Sequence, residues 1–249
     1  KKLLLDLNLR LLLVRLPRDP AGSGEAKDPL REIAVSGQFF NSLLGMKKPF
    51  ALELAVHNIG EEIKFYCAVP TSAEEGVAKY IRALWPGAQV SHADDYTIFG
   101  GSGKVRVATL EQKSHFALPL RTYTEAKADL FLSFLSAFAN LRAVGEGLAL
   151  QVVVEGASSG TKKSGMRYLE TIKKPPQAKE KGDQVLQTPE PLDQEKIRLV
   201  QNKLSQTLYK VAVRLVATAP NDLRAEELLN GALVACGQFE LANGNQVKV

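Results

Sequence analysis

Few residues of this 249-residue chain stand where chemistry would need them. Two glycine-rich stretches end in lysine. In Gly100-Gly101-Ser102-Gly103-Lys104-Val105, a valine stands where Mg²⁺ needs a hydroxyl, and Ile98 stands where a phosphate-binding loop needs glycine. Gly156–Ser164 has glycine, lysine and serine but at the spacing GxxxGTKKS, with no strongly apolar helix predicted directly after it. Both read as surface turns. Asp94 and Asp95 are neighbours on a predicted strand end, where adjacent side chains point to opposite faces, so they are not expected to share a proton or an ion. His57, His92 and His115 are scattered and there is no Cys-x-x-Cys, which leaves zinc without a ligand set. Cys67 and Cys236 fall on apolar faces of predicted elements, as buried thiols of a reducing compartment would. No nucleophile elbow is present. The expectation is a chain without catalytic, cofactor or metal residues.

Charge gives the remaining candidates. Between Ala157 and Lys181 lie seven basic residues, Lys162, Lys163, Arg167, Lys173, Lys174, Lys179 and Lys181, against Glu170 and Glu180. That local excess equals the +5 of the whole chain, so the rest is neutral. The basicity belongs to one segment, a candidate contact for DNA phosphates or anionic lipid headgroups. At 45% hydrophobic and 24% charged, the chain has the composition of a globular protein of one or two domains. The leucine-rich opening is interrupted by Asp6, Arg10 and Arg15, too often for a membrane span.

The elements that would position these residues follow from period. Phe50, Leu52, Leu54 and Val56 alternate with Ala51, Glu53, Ala55 and His57, and after a turn at Asn58-Ile59-Gly60-Glu61 a second alternation carries Ile63, Phe65, Cys67 and Val69. Phe65 is expected in the core. Ser72 with Glu75 suggests a capping box for a helix bearing Val77, Tyr80, Ile81 and Leu84, which stops at Pro86-Gly87 before a short strand at 88–93. A strand over 11–16 and a helix from Asp28-Pro29 to Gly45 precede this unit, and 96–113 reads as an added hairpin or strand.

The order then begins again. It runs through a strand over 115–123, a Thr122–Glu125 capping box, a helix over 126–141, strands at Leu148–Val154 and Val211–Val216, a helix opened by Pro220-Asn221-Asp222, and a closing strand at 246–249. The expected class is α+β: two tandem ferredoxin-like βαββαβ units, residues 1–113 and 114–249. The second hairpin is split by an insertion over 156–207, with a short helix near Met166–Ile172, a polar stretch, and an amphipathic helix over 192–208.

The stretches LLLVRLPRD, FALELAVHNIGEEIKFYCAVP and GEGLALQVVVEGASSGTKKSGMRYLETIKK, with YKVAVRLVATAPNDLRAEELLNGALVACGQFELANGNQVKV, resemble one bacterial family. It is the region ahead of the motor in type IV secretion and conjugation ATPases of the TraG/HerA-like kind, common in candidate-phylum bacteria. The resemblance covers about Leu11 to Val249. Relatives often carry a tryptophan where this chain has Ser158-Ser159-Gly160-Thr161, and the Walker motifs of the motor are absent from this sequence. The resemblance implies a non-catalytic accessory and assembly domain at the cytoplasmic face of the membrane. Its expected partners are an ATPase motor in the same polypeptide, further copies of itself or secretion-system subunits. Two rivals remain open at this point: a nucleic-acid-binding module acting through the basic insertion, and an enzyme with a cleft between its halves.

Overall fold

The computed structural model describes residues 8–17, 29–57, 61–94, 103–126, 130–174 and 191–249. The first half is Leu9–Arg15 (β1), Pro29–Leu44 (α1), Phe50–Val56 (β2), Lys64–Pro70 (β3), Glu74–Leu84 (α2) and Gln89–Ala93 (β4). The second is Lys104–Gln112 (β5), Tyr123–Ala126 (α3), Leu130–Phe138 (α4), Gly147–Gly156 (β6), Ser159–Lys173 (α5), Pro191–Ser205 (α6), Tyr209–Ala219 (β7), Asp222–Cys236 (α7) and Val247–Lys248 (β8). The class is α+β.

All eight strands form one antiparallel sheet in the order β4-β1-β3-β2-β6-β7-β5-β8. The halves meet where β2 pairs with β6, from Phe50↔Val154 to Val56↔Leu148. The alternation read in β2 explains how both helical layers come to share one face of the sheet. Phe50 packs with Phe39, Leu43, Val77 and Ile81, whereas Leu54 and Val56 pack with Phe138, Leu148, Leu215 and Leu228. These three β2 residues lie on one side of the strand, so a single face of β2 supports two cores. On the opposite face the buried cluster is small, Ala55, Tyr66 and Ala149. There a polar row crosses the join: the Gln151 amide donates to Glu53 Oε1 at 2.5 Å, and the Arg214 guanidinium donates to Gln151 Oε1.

The expected pairing of Leu148–Val154 with Val211–Val216 is present, antiparallel, as β6 and β7. The Thr122–Glu125 contact also forms, the Thr122 amide donating to Glu125 Oε2 at 2.8 Å, and Asn221 caps α7 by accepting from the Arg224 amide at 2.9 Å. Other expectations fail for identifiable reasons. Residues 115–122 are not a strand; β5 pairs with β7 instead. Ala117 and Leu118 are buried, but against Leu169, Val200 and Leu204 of α5 and α6. The Ser72–Glu75 box does not form, because a 3₁₀ turn over Thr71–Ala73 leads into α2 and Glu75 pairs with Lys79 at 2.6 Å. In the insertion the short helix is the fifteen-residue α5, which begins at Ser159, so most of the Gly156–Ser164 stretch read as a surface turn is the first turns of a helix. Phe65 is 46% exposed. Asp94 is exposed, while Asp95, the Asn58-Ile59-Gly60 turn and Gly100–Ser102 lie outside the described residues.

Candidate functional site

An apolar groove of about 800 Å³ lies on the helical face. Its floor crosses the join between the halves, with Phe65 of β3, Leu52 and Leu54 of β2, and Leu150 and Val152 of β6. Its wall is Phe39 and Phe40 of α1 with Trp85, the one tryptophan of the chain, which stands edge-on to Phe39 at 5.7 Å. Trp85 is held there because α2 ends at this residue and Gly87 turns the chain back at φ +87°, a conformation that favours glycine. Polar groups reach the groove from Ser36, Arg15, Glu62 and Lys64, and Lys64 pairs with Glu61 at 3.2 Å. The lining suits burial of another apolar surface. Phe65 shares the strand face of Cys67 and Val69, but the helices leave it half uncovered. Phe65→Ala should therefore cost about 1 kcal/mol, well short of a fully buried phenylalanine. Thermal melts check this, and a loss as large as that of a core phenylalanine would contradict the exposure.

The predicted basic cluster is only partly brought together. Lys162, Lys163 and Arg167 project from α5, exposed, and Lys174 is exposed at its end. Lys173 pairs with Glu170 at 3.1 Å, and Lys179 and Lys181 lie outside the described residues. Lys162 lines a shallower groove of about 570 Å³ with Lys47 and Lys48, beside Ser158 and Ser159 at the start of α5. Lys47 and Lys48 were missed because they belong to the α1–β2 turn, far away in sequence; only the fold makes them neighbours of Lys162. Glu155 shares that lining and offsets part of its charge. Three exposed cations can attract phosphate groups, each contact being weak and screened by salt.

The two helices of the insertion, α5 and α6, are docked on each other and on residues 115–118. Gly165 of α5 abuts Leu204 of α6, and a Cβ at Gly165 would come within 2.5 Å of Leu204 Cδ2. His115 stacks on Tyr168 at 4.0 Å, and Lys203 Nζ donates to the main-chain carbonyls of Phe116 at 2.5 Å and Leu118 at 3.2 Å. Removing 158–191 would take Leu169 from this small core and so is not neutral to the fold.

Burial pushes the Lys203 pKa down to about 8 from 10.5. Between those values the unfolded chain holds the proton that the folded chain has lost, so stability should rise as pH goes from about 8 towards 10.5. Melts at pH 7.5 and 9.5 should show that rise in the parent, and Lys203→Met should lack its share of it. An identical rise in both would sink the assignment.

Both thiols are poor nucleophiles here. Burial raises the Cys67 pKa to about 12 and that of Cys236 to about 11. His57, bonded to the Tyr66 hydroxyl at 3.3 Å, has its pKa lowered by burial and by Lys64. Among the described residues there is no group of three or more histidine, cysteine or acidic side chains placed to hold a metal ion, and no helix is long and apolar enough to cross a membrane. Compared with known protein families and with curated proteins, the chain matches none.

Proposed function

We propose that this chain is a non-catalytic assembly domain, two ferredoxin-like units fused edge to edge, that stands ahead of the motor of a membrane-associated DNA- or protein-translocating ATPase. The strand order supports the two-unit reading. Taken within each half, β1 to β4 run 4-1-3-2, and β5, β6, β7 and β8 run 2-3-1-4, the same order seen from the other end. The second unit on this reading begins at β5, and α5 and α6 are inserted in its central hairpin. The sequence resemblance supplies the translocation ATPase. The observation that carries the assembly role is the groove, whose aromatic and aliphatic lining fits another protein surface better than a proton-transfer reaction. Its partners on this reading are the motor in the same polypeptide, a further copy or a secretion-system subunit, on the cytoplasmic side of the membrane.

Sequencing the coding region beyond Val249 tests the reading directly. A Walker A motif in frame is expected, and an open reading frame that ends without one overturns it. The nucleic-acid alternative keeps one observation in its favour, the convergence of Lys47, Lys48 and Lys162. An electrophoretic shift that weakens steeply with salt and is lost in a Lys47→Glu, Lys162→Glu double variant would favour it.

A further inference from the structure

Residues 115–118 form a tight turn, closed by the Leu118 amide donating to the His115 carbonyl at 3.0 Å. Its two sides are held by different chemistry. Towards β8, Asn245 Nδ2 donates to the carbonyls of Ser114, His115 and Leu118 at 3.2, 3.0 and 3.3 Å. Asn245 is fully buried, and its amide carries no charge at any pH. Towards the inserted helices, the His115 ring stacks on Tyr168 of α5, 8° from parallel. Lys203 of α6 donates to the Phe116 and Leu118 carbonyls. His115 Nδ1 accepts from the Ala117 amide at 3.2 Å, so that nitrogen keeps its lone pair and the ring is neutral. Ala117 is fully buried, and a buried amide that loses its acceptor is costly.

We propose that His115 is an acid-released latch: its neutral ring holds α5 and α6 on residues 115–118, and its protonation frees them while the turn stays with β8. The titratable side chains against the ring are Tyr168 from α5 and Lys203 from α6. Lys113, on the same segment, is turned to Gln246 at 3.0 Å. A proton on Nδ1 removes the Ala117 bond and sets a second cation beside Lys203 across the same turn. The attraction of an imidazolium to the Tyr168 face opposes release, one gain against two losses. Burial and the Lys203 charge put the His115 pKa below 6.5. The docked ring therefore lacks a proton that the released ring takes up, so docking is complete above 6.5 and weakens as pH falls below it. The bonds from Asn245 do not titrate, so the contacts that open are those of Leu169, Val200 and Leu204 with Ala117 and Leu118. Release also carries Lys162 away from Lys47 and Lys48, which makes the basic groove a property of the latched form.

Amide hydrogen exchange at pH 7 and pH 5.5, expressed as protection so that the intrinsic rate cancels, tests the latch. In that window Lys203, which titrates near 8, and ordinary carboxylates keep their charge, which leaves histidine. Protection of α5 and α6 should fall several-fold at pH 5.5, while β6 and β7 keep theirs. The His115 imidazole, followed by NMR, should titrate below 6.5. His115→Asn offers the Ala117 amide an acceptor that does not titrate, and should lose the pH dependence. Equal protection of the two helices at both pH values overturns the latch, as does a parallel loss in β6 and β7. So does a His115→Asn variant that keeps the pH dependence of the parent, or an imidazole that titrates at 6.5 or above.

Discussion

Replacing Glu146 by alanine will cost about 2–3 kcal/mol of stability, because it removes the buried carboxylate that Arg224 and the Arg142 amide both bind. Glu146 is 2% exposed. Its Oε1 accepts from Arg224 Nε at 2.7 Å, and its Oε2 accepts from Arg224 Nη2 at 3.2 Å and from the Arg142 amide at 2.7 Å. Arg224 also donates to the Asn140 carbonyl at 3.0 Å and to Glu227 at 3.2 Å. The pair thus pins the end of α4 and the start of β6 to the first turn of α7. Burial alone would raise the Glu146 pKa, but the hydrogen bonds from Arg224 and Arg142 outweigh it and hold the carboxyl below its ordinary value. Its contribution is present above the ordinary glutamate range and is lost as pH falls through the depressed value. Urea unfolding at pH 7 should show the full loss in Glu146→Ala, and the gap between variant and parent should narrow towards pH 3. A variant as stable as the parent at pH 7 would remove the pair from the account of the fold.

This pair was not legible in the sequence, and the reason is general. Glu146 sits in the turn between α4 and β6, and Arg224 lies 78 positions on. Nothing in the local pattern of either residue marks it as buried. In the first half β2 and β3 read well because each keeps one face apolar and mostly buried. β5 falls within the 96–113 segment read as an added hairpin or strand, but its place in the second core was not legible. Its Lys104 and Arg106 occupy the helix-facing side and Val105 and Val107 the other, so the alternation pointed to no core. A run of apolar residues over 115–123 then took its place in the reading, although Ala117 and Leu118 are buried under the inserted helices.

Phe65 teaches the complementary lesson. Period assigned it correctly to the face of Cys67 and Val69, but period cannot say whether a helix lies over each position. The gap above Phe65 is the groove. The basic cluster was legible as composition and not as a site, since Lys47 and Lys48 join Lys162 through tertiary structure alone.

The second large effect concerns the join between the halves. Phe50→Ala should cost about 3–5 kcal/mol, the usual loss for a phenylalanine removed from a close-packed core. Phe50 is 1% exposed, touches the Phe40 ring at a centroid distance of 6.1 Å, and lies opposite Val154 of β6. Phe40 in turn meets Tyr209 at the start of β7, and the Tyr209 hydroxyl donates to Asn41 at 2.8 Å. The cavity left by Phe50 therefore opens between α1 and strands of both halves. With β2 and β6 paired from Phe50 to Val56, the loss should reach the whole sheet. Thermal unfolding of Phe50→Ala should remain a single transition at lower temperature, followed at Trp85 in the first half and by far-ultraviolet circular dichroism for the entire chain. If Trp85 reports early unfolding while most secondary structure survives to the parent temperature, the halves unfold separately and the join is no more than a contact.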